Sequence, residues 1–134
     1  MRITLVESPY TTPMRSRLEC IRYACWCCFD CIARGETPFA SHLLYTQILP
    51  ETDGARALGL KMRDRIAFAT GGLIARYADI GETPGMHRDQ DVTAQVETRK
   101  LEGPARQMWL DGKWPAASAR LSVVDPFKQN GGEQ

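Results

Sequence analysis

Asp79-Ile80-Gly81-Glu82-Thr83-Pro84-Gly85 is the stretch best supplied for ligand chemistry. A carboxylate at Asp79 can accept hydrogen bonds from a ribose hydroxyl or a base amine, and Glu82 adds a second acid. Gly81 and Gly85 let backbone N–H groups approach a ligand, and a helix starting near Gly85 would offer its positive end to an anion. The same residues also make a plain Gly-Pro turn capped by an aspartate. Ser41-His42 sets a hydroxyl beside an imidazole, a pair suited to a sugar or a phosphate near neutral pH. Its plainer reading is a capping serine and a surface histidine. Ser8-Pro9-Tyr10 joins a rigid turn to a phenol that can lie over a ligand, or simply to a half-buried tyrosine. His87 supplies a second imidazole that, with His42 and the amides of 81–85, can hold a phosphate. There is no dinucleotide glycine fingerprint, no G-x-x-x-x-G-K-[ST] phosphate loop and no H-E-x-x-H zinc string.

Cys20, Cys25, Cys27, Cys28 and Cys31 fall within twelve residues. The spacings Cys25-x-x-Cys28 and Cys28-x-x-Cys31 are ligand-like. Zinc pairs, however, sit on knuckles or hairpins with a second pair far away. Here no second pair exists, and His42 and His87 belong to other loops. Buried free cysteine behaves as a small hydrophobe. The expectation is a reduced, metal-free helix whose Cys25 and Cys28 face a sheet, with Cys27 and Cys31 on another face. No cofactor is expected.

These groups need elements to hold them. Ile3–Glu7 is β-branched and reads as a short buried strand. Thr12 can cap a helix with Pro13 at its first position. From 14 to 34 the pattern is helical, with Leu18, Ile21, Cys25, Cys28, Phe29 and Ile32 as one apolar stripe ended by Gly35. A second strand is expected over 37–41. Pro50-Glu51-Thr52-Asp53 opens another helix with the stripe Ala55, Leu58, Gly59, Met62 and Ile66. The segment 62–72 reads as basic and then glycine-interrupted. A third strand follows over 73–79, a short polar helix over 86–95 and an edge strand over 96–101. Alternating strands and helices imply a parallel sheet, with ligands beyond the carboxyl ends of its strands. Tyr10, Ser41, His42, Asp79 and Gly85 should then converge on one cleft. From Gly103 the pattern weakens, although Trp109 and Trp114 are apolar enough to cover a sheet edge or meet a second subunit. A last strand is expected over 120–124 and a disordered end over 128–134.

The chain has 134 residues, 43% hydrophobic and 25% charged, the make-up of one ordinary globular domain. Seventeen basic against sixteen acidic residues leave a net charge of +1. A duplex-binding surface needs a strong basic excess, so duplex nucleic acid is not an expected partner. No apolar run is long enough to span a bilayer, and 1–7 is too short and too soon charged for a signal peptide. The expected location is cytoplasmic.

Glu7-Ser8-Pro9-Tyr10, the block Arg34-Gly35-Glu36-Thr37-Pro38-Phe39-Ala40-Ser41-His42-Leu43-Leu44-Tyr45-Thr46-Gln47, and Asp79-Ile80-Gly81 with Gly85-Met86 carry a resemblance. The chain resembles small phage and bacterial proteins related to the nucleoside 2-deoxyribosyltransferases, over about residues 2–101. The resemblance implies a flavodoxin-like, Rossmann-like α/β fold of about four to five parallel strands with flanking helices. It implies a nucleoside 2-deoxyribosyltransferase-like domain over 1–102 and a C-terminal extension over 103–134. It also implies a nucleoside or nucleotide pocket using Ser8, Tyr10, Ser41, His42, Asp79, Gly81, Gly85, Met86 and His87. In those transferases a glutamate opening the next helix attacks the anomeric carbon. The corresponding position here falls near Met86-His87-Arg88, none of which is a carboxylate. Glu82 is the candidate acid, with Asp89 and Asp91 nearby at other offsets.

Three readings follow. The first in weight is a nucleotide binder, which can sequester a nucleotide-derived signal. The second is an N-glycosidase or deoxyribosyltransferase acting on deoxynucleosides or their monophosphates through Glu82. The third is a non-catalytic structural protein that forms a homo-oligomer through the C-terminal extension.

Overall fold

The computed structural model describes residues 2–82 and 95–116. Gly85, Met86 and His87 lie outside the described residues. So do most of the expected helix over 86–95, the strand over 120–124 and the chain end from 128.

Four parallel strands form one sheet in the order β2-β1-β3-β4. They are β1 (Ile3–Glu7), β2 (Thr37–Phe39), β3 (Leu73–Tyr77) and β4 (Val96–Arg99). The register sets Leu5 beside Phe39 and Ile74, and Ile74 in turn beside Val96. The chain moves to one side of β1 for β2 and to the other for β3 and β4, so winding reverses at β1. This is the flavodoxin-like α/β arrangement expected from the sequence.

Alternation along the strands gives the sheet two apolar faces. Val6, Ala75 and Tyr77 pack with Tyr23, Trp26, Cys27 and Cys31 of α1 (Arg17–Ala33). Leu101, and Ala105 and Trp109 of α4 (Gly103–Leu110), belong to the same cluster. On the opposite face Leu5 and Ile74 meet Ala67 of α3 (Asp53–Thr70). A short helix α2 (Ser41–Leu44) and a 3-10 turn (Tyr45–Gln47) fill the connection between β2 and α3.

Several boundaries differ from the sequence reading. Helix α1 starts at Arg17 rather than 14, because Ser16 supplies the cap: its Oγ accepts from Glu19 N at 3.1 Å. Thr12 instead accepts from Arg15 N in the preceding turn. β2 ends at Phe39 because Ser41 already opens α2, and β3 ends at Tyr77, which leaves Asp79 in a turn closed by Gly81 N to Ala78 O. The basic stretch from 62 stays helical, and the glycine interruption falls at Gly71-Gly72, between α3 and β3. Helix α3 runs to Thr70, and Gly71, at φ 61°, caps it in the left-handed region that glycine adopts freely. Gly72 is held by close approach, since a Cβ there would stand 3.0 Å from the Ile3 carbonyl oxygen.

The buried face of α1 is the main correction. Leu18, placed in the expected stripe, is 64% exposed, and Cys25 and Cys28 are only half-buried. The face in contact with the sheet carries Cys20, Tyr23, Ala24, Cys27 and Cys31, which also recur at helical spacing. Apolar residues surround this helix, so periodicity alone did not select a side. Trp26 and Asp30 are buried on the same helix, so its core side mixes small thiols with two large aromatic rings and a carboxylate. In α3 the expected stripe holds at Ala55, Gly59, Met62 and Ile66, which are partly buried, but Leu58 is 47% exposed, and the fully buried positions are Ala67 and the unexpected Arg63. Arg63 is buried because Glu7 at the end of β1 pairs with it, and a buried charge requires such a partner.

A second buried ion pair ties the far edge strand to the start of β2. Both terminal nitrogens of Arg99 donate to the Glu36 carboxylate at 2.7 Å, and Arg2 adds a third donor at 2.9 Å. Those hydrogen bonds pull the Glu36 carboxyl pKa down to about 2, against the opposing effect of burial. Among the described residues no helix is long and apolar enough to cross a membrane.

Candidate functional site

A cleft of about 620 Å³, measured out to its open mouth, lies beyond the carboxyl ends of β1 and β2. Three walls surround it. The β1–α1 connection and the start of α1 bring Tyr10 and Arg17. Helix α2 and the 3-10 turn bring Ser41, His42, Tyr45 and Thr46. The segment leading into α3 and its first two turns bring Leu49 to Thr52, Ala55, Arg56, Gly59 and Leu60.

Local sequence explains each wall. Pro9 is fully buried and fixes the turn that carries Tyr10 outward. Thr52 caps α3, its Oγ1 accepting from Ala55 N at 3.1 Å, so the positive end of that helix borders the cleft. Thr46 Oγ1 donates to the His42 carbonyl at 2.7 Å and tightens the bend from α2 into the 3-10 turn.

Ser8 stands behind the cleft and positions one of its walls. Its Oγ lies 2.9 Å from His42 Nε2. The Tyr10 ring meets the imidazole edge-on, with centroids 6.3 Å apart. Burial, with the Arg63 cation nearby, lowers the His42 pKa to about 4. His42 is therefore a neutral imidazole at pH 7. As a neutral ring it can still donate one N–H to a ligand, an anion included, without bringing a full positive charge.

Cationic groups come from positions the sequence reading did not single out. The Arg17 guanidinium lies 4.8 Å from the centroid of the Tyr10 ring, and Arg56 lines the opposite wall. Among the described residues Glu51 is the one carboxylate in the lining, and Arg17 Nη1 donates to it. Arg17 carried a usable signal: a cation at the start of the first helix after the first strand faces the ligand side of such a sheet. Glu51 carried only that of an acid just before a helix cap.

Asp79 and Glu82 are not among the lining residues. The Asp79 carboxylate accepts from Tyr23 Oη and from Leu101 N, at 3.1 and 3.2 Å to its two oxygens. It joins α1 to the chain leaving β4. Glu82 Oε1 lies 3.9 Å from Arg76 Nε, and Arg76 in turn lies 3.5 Å from the buried Glu7. Gly81 serves the turn after β3, at φ 98°. The structure therefore brings Ser8, Tyr10, Ser41 and His42 together and places Asp79, Gly81 and Glu82 in other contacts.

Burial disfavours the thiolate form of the cysteines. All five cysteines are unbridged, and burial raises Cys28 to about 12 and Cys31 to about 11. Among the described residues no group of three or more His, Cys, Asp or Glu side chains is arranged to hold a metal ion.

The four-stranded parallel sheet with its flanking helices places the chain in the α/β class of folds. Within that class, the chain belongs to the family described as domain of unknown function DUF7768, which it matches over residues 2–102. No curated protein and no solved structure matches it.

Proposed function

We propose that the cleft binds a nucleoside or nucleotide and that recognition, rather than bond cleavage, is its task. The observation that carries this reading is the lining itself. One wall offers an aromatic ring backed by a guanidinium, Tyr10 with Arg17, on which a base or a charged group can rest. Another offers hydroxyls and a neutral imidazole, Ser41, Thr46 and His42, suited to sugar hydroxyls or base edges. The position at the strand ends agrees with ligand placement in open parallel sheets. The resemblance to deoxyribosyltransferase relatives points to the same ligand class.

Cleavage of an N-glycosidic bond needs a carboxylate beside the anomeric carbon. Glu82 lies with Arg76, and Glu51 is held by Arg17. A guanidinium-bound, half-exposed carboxylate is a poor nucleophile. An N-glycosidase using Glu51 instead of Glu82 is the second reading, favoured by the presence of that one acid in the lining.

Thermal denaturation with deoxynucleosides and their monophosphates, alongside chromatography of the same mixtures, separates the two. A ligand-dependent rise in Tm without free base is the expected result, because a ligand that binds only the folded state stabilises it. Base release that disappears in Glu51→Gln would establish the enzyme. No rise in Tm and no product with any nucleoside or nucleotide would dismiss both readings.

A further inference from the structure

An exposed ion pair at the mouth of the cleft joins two of its walls. Arg17 is the first residue of α1, and Glu51 precedes the cap of α3. Their side chains are 42% and 59% exposed. A pair so open to water adds little to stability, so the fold does not depend on it. The Arg17 guanidinium also lies against Tyr10. A stacked guanidinium keeps its in-plane N–H donors for a planar or tetrahedral anion. Arg56 stands on the Glu51 side of the mouth, its own contact with Asp53 a loose 4.0 Å. The first turn of α3 adds the partial positive charge of a helix end. The two guanidinium groups of the lining are thus Arg17 and Arg56, each beside an exposed carboxylate that can return to water, while His42 is hydrogen-bonded to Ser8.

Resting on the nucleotide reading of the cleft, we infer that Arg17 selects a phosphorylated nucleotide over the neutral nucleoside. Glu51 is an internal carboxylate that occupies Arg17 until the ligand phosphate displaces it. The phosphate takes the Glu51 position against Arg17, within reach of Arg56, and the nucleoside extends towards Ser41 and His42. Displacement is cheap because Glu51 returns to water. No bond is made or broken.

The test is isothermal titration calorimetry at low ionic strength on the full chain, Glu51→Gln and Arg17→Gln. The probes are the common 2′-deoxynucleosides, their 5′-monophosphates and inorganic phosphate. In the unaltered protein a monophosphate should bind more tightly than its nucleoside. Glu51→Gln should tighten the monophosphate by up to about fivefold, the ratio equivalent to an exposed ion pair, and leave the nucleoside unchanged. Arg17→Gln should abolish the preference, bringing the monophosphate down to the affinity of its own nucleoside measured with the same variant. Equal affinities for nucleoside and monophosphate in all three proteins would overturn the role of Arg17 and leave the nucleoside site standing. Weaker monophosphate binding in Glu51→Gln, or inorganic phosphate binding as tightly as the monophosphate, would overturn it as well. No saturable binding of any nucleoside or nucleotide would remove the reading on which it rests.

Discussion

Tyr23 Oη donates to Asp79 Oδ1 and accepts from the Asp79 backbone N–H at 2.9 Å, so one phenol satisfies the side chain and main chain of a residue 56 positions away. The same carboxylate takes Leu101 N, and Asp30 does the equivalent on α1, accepting from Tyr77 Oη at 2.6 Å and Glu102 N at 3.2 Å. Two carboxylates and two buried tyrosines thereby fix the exit from β4. Burial and the neighbouring charges push both phenol pKa values up, so both remain donors.

Asp79→Asn should accordingly act on stability before it acts on ligand binding. Tyr23→Phe leaves the Asp79 carboxylate and N–H without their shared partner, which should cost about 1–3 kcal/mol. Urea denaturation checks the loss, and ligand titration of the remaining folded protein should give an unchanged affinity. A ligand defect in Asp79→Asn at undiminished stability would return Asp79 to the binding site.

The end of the family match at residue 102 is not the end of the core. Trp109 is 6% exposed, its ring centroid 5.1 Å from that of Tyr23, with Arg22 over its face at 4.1 Å. Arg22 and Trp26 also donate to the Lys113 carbonyl at 2.9 and 2.7 Å. Trp109→Ala should therefore cost about 3–5 kcal/mol, as for other buried tryptophans. A chain cut after 102 should unfold at lower urea than the full chain. Equal midpoints would mean that α4 is an appendage rather than part of the domain.

Ellman's reagent provides a check on the cysteine helix. Attack requires thiolate, and burial raises the pKa of all five thiols. In native protein at pH 8 the reaction should be slow, with half-buried Cys25 the first to be modified. In guanidinium all five should react at once. Zinc retained through dialysis, or a rapid stoichiometric burst from native protein, would contradict the packing role.

Strand and helix order was legible because Ile3–Glu7, the capped start of α3 and the Gly71-Gly72 break each carry a local signal. The parallel sheet follows from that order. Which face of α1 is buried was not legible, since Ile21, Cys25 and Phe29 compete with Tyr23, Cys27 and Cys31 at equal spacing. The choice depends on partners on β3 and α4. The cleft was half legible. Tyr10, Ser41 and His42 follow strands at predictable ends, but the Asp79 contacts with Tyr23 and Leu101 link positions 56 and 22 residues apart. No local pattern reveals such a contact. Arg63 was hidden for the same reason: its presence in a buried helix face makes sense only beside Glu7.

His42 should make stability depend on pH in a defined window. Its folded pKa, about 4, lies below the ordinary 6.5 because burial and Arg63 disfavour the imidazolium. Between those values the unfolded chain binds a proton that the folded chain does not. The contribution is thus complete above pH 6.5 and is lost as pH falls towards 4. A difference of that size amounts to about 3 kcal/mol at most. Glu36 works in the same direction but lower, its contribution present above the ordinary 4.5 and lost as pH falls towards about 2. The two windows barely overlap, so the decline between pH 6.5 and 5 belongs to His42. His42→Gln keeps a polar group within reach of Ser8 and removes the titration. Urea midpoints measured from pH 7.5 to 5 should fall in the unaltered protein and stay nearly level in His42→Gln. Parallel declines in both proteins would show that the imidazole is already hydrated and free to charge in the folded state.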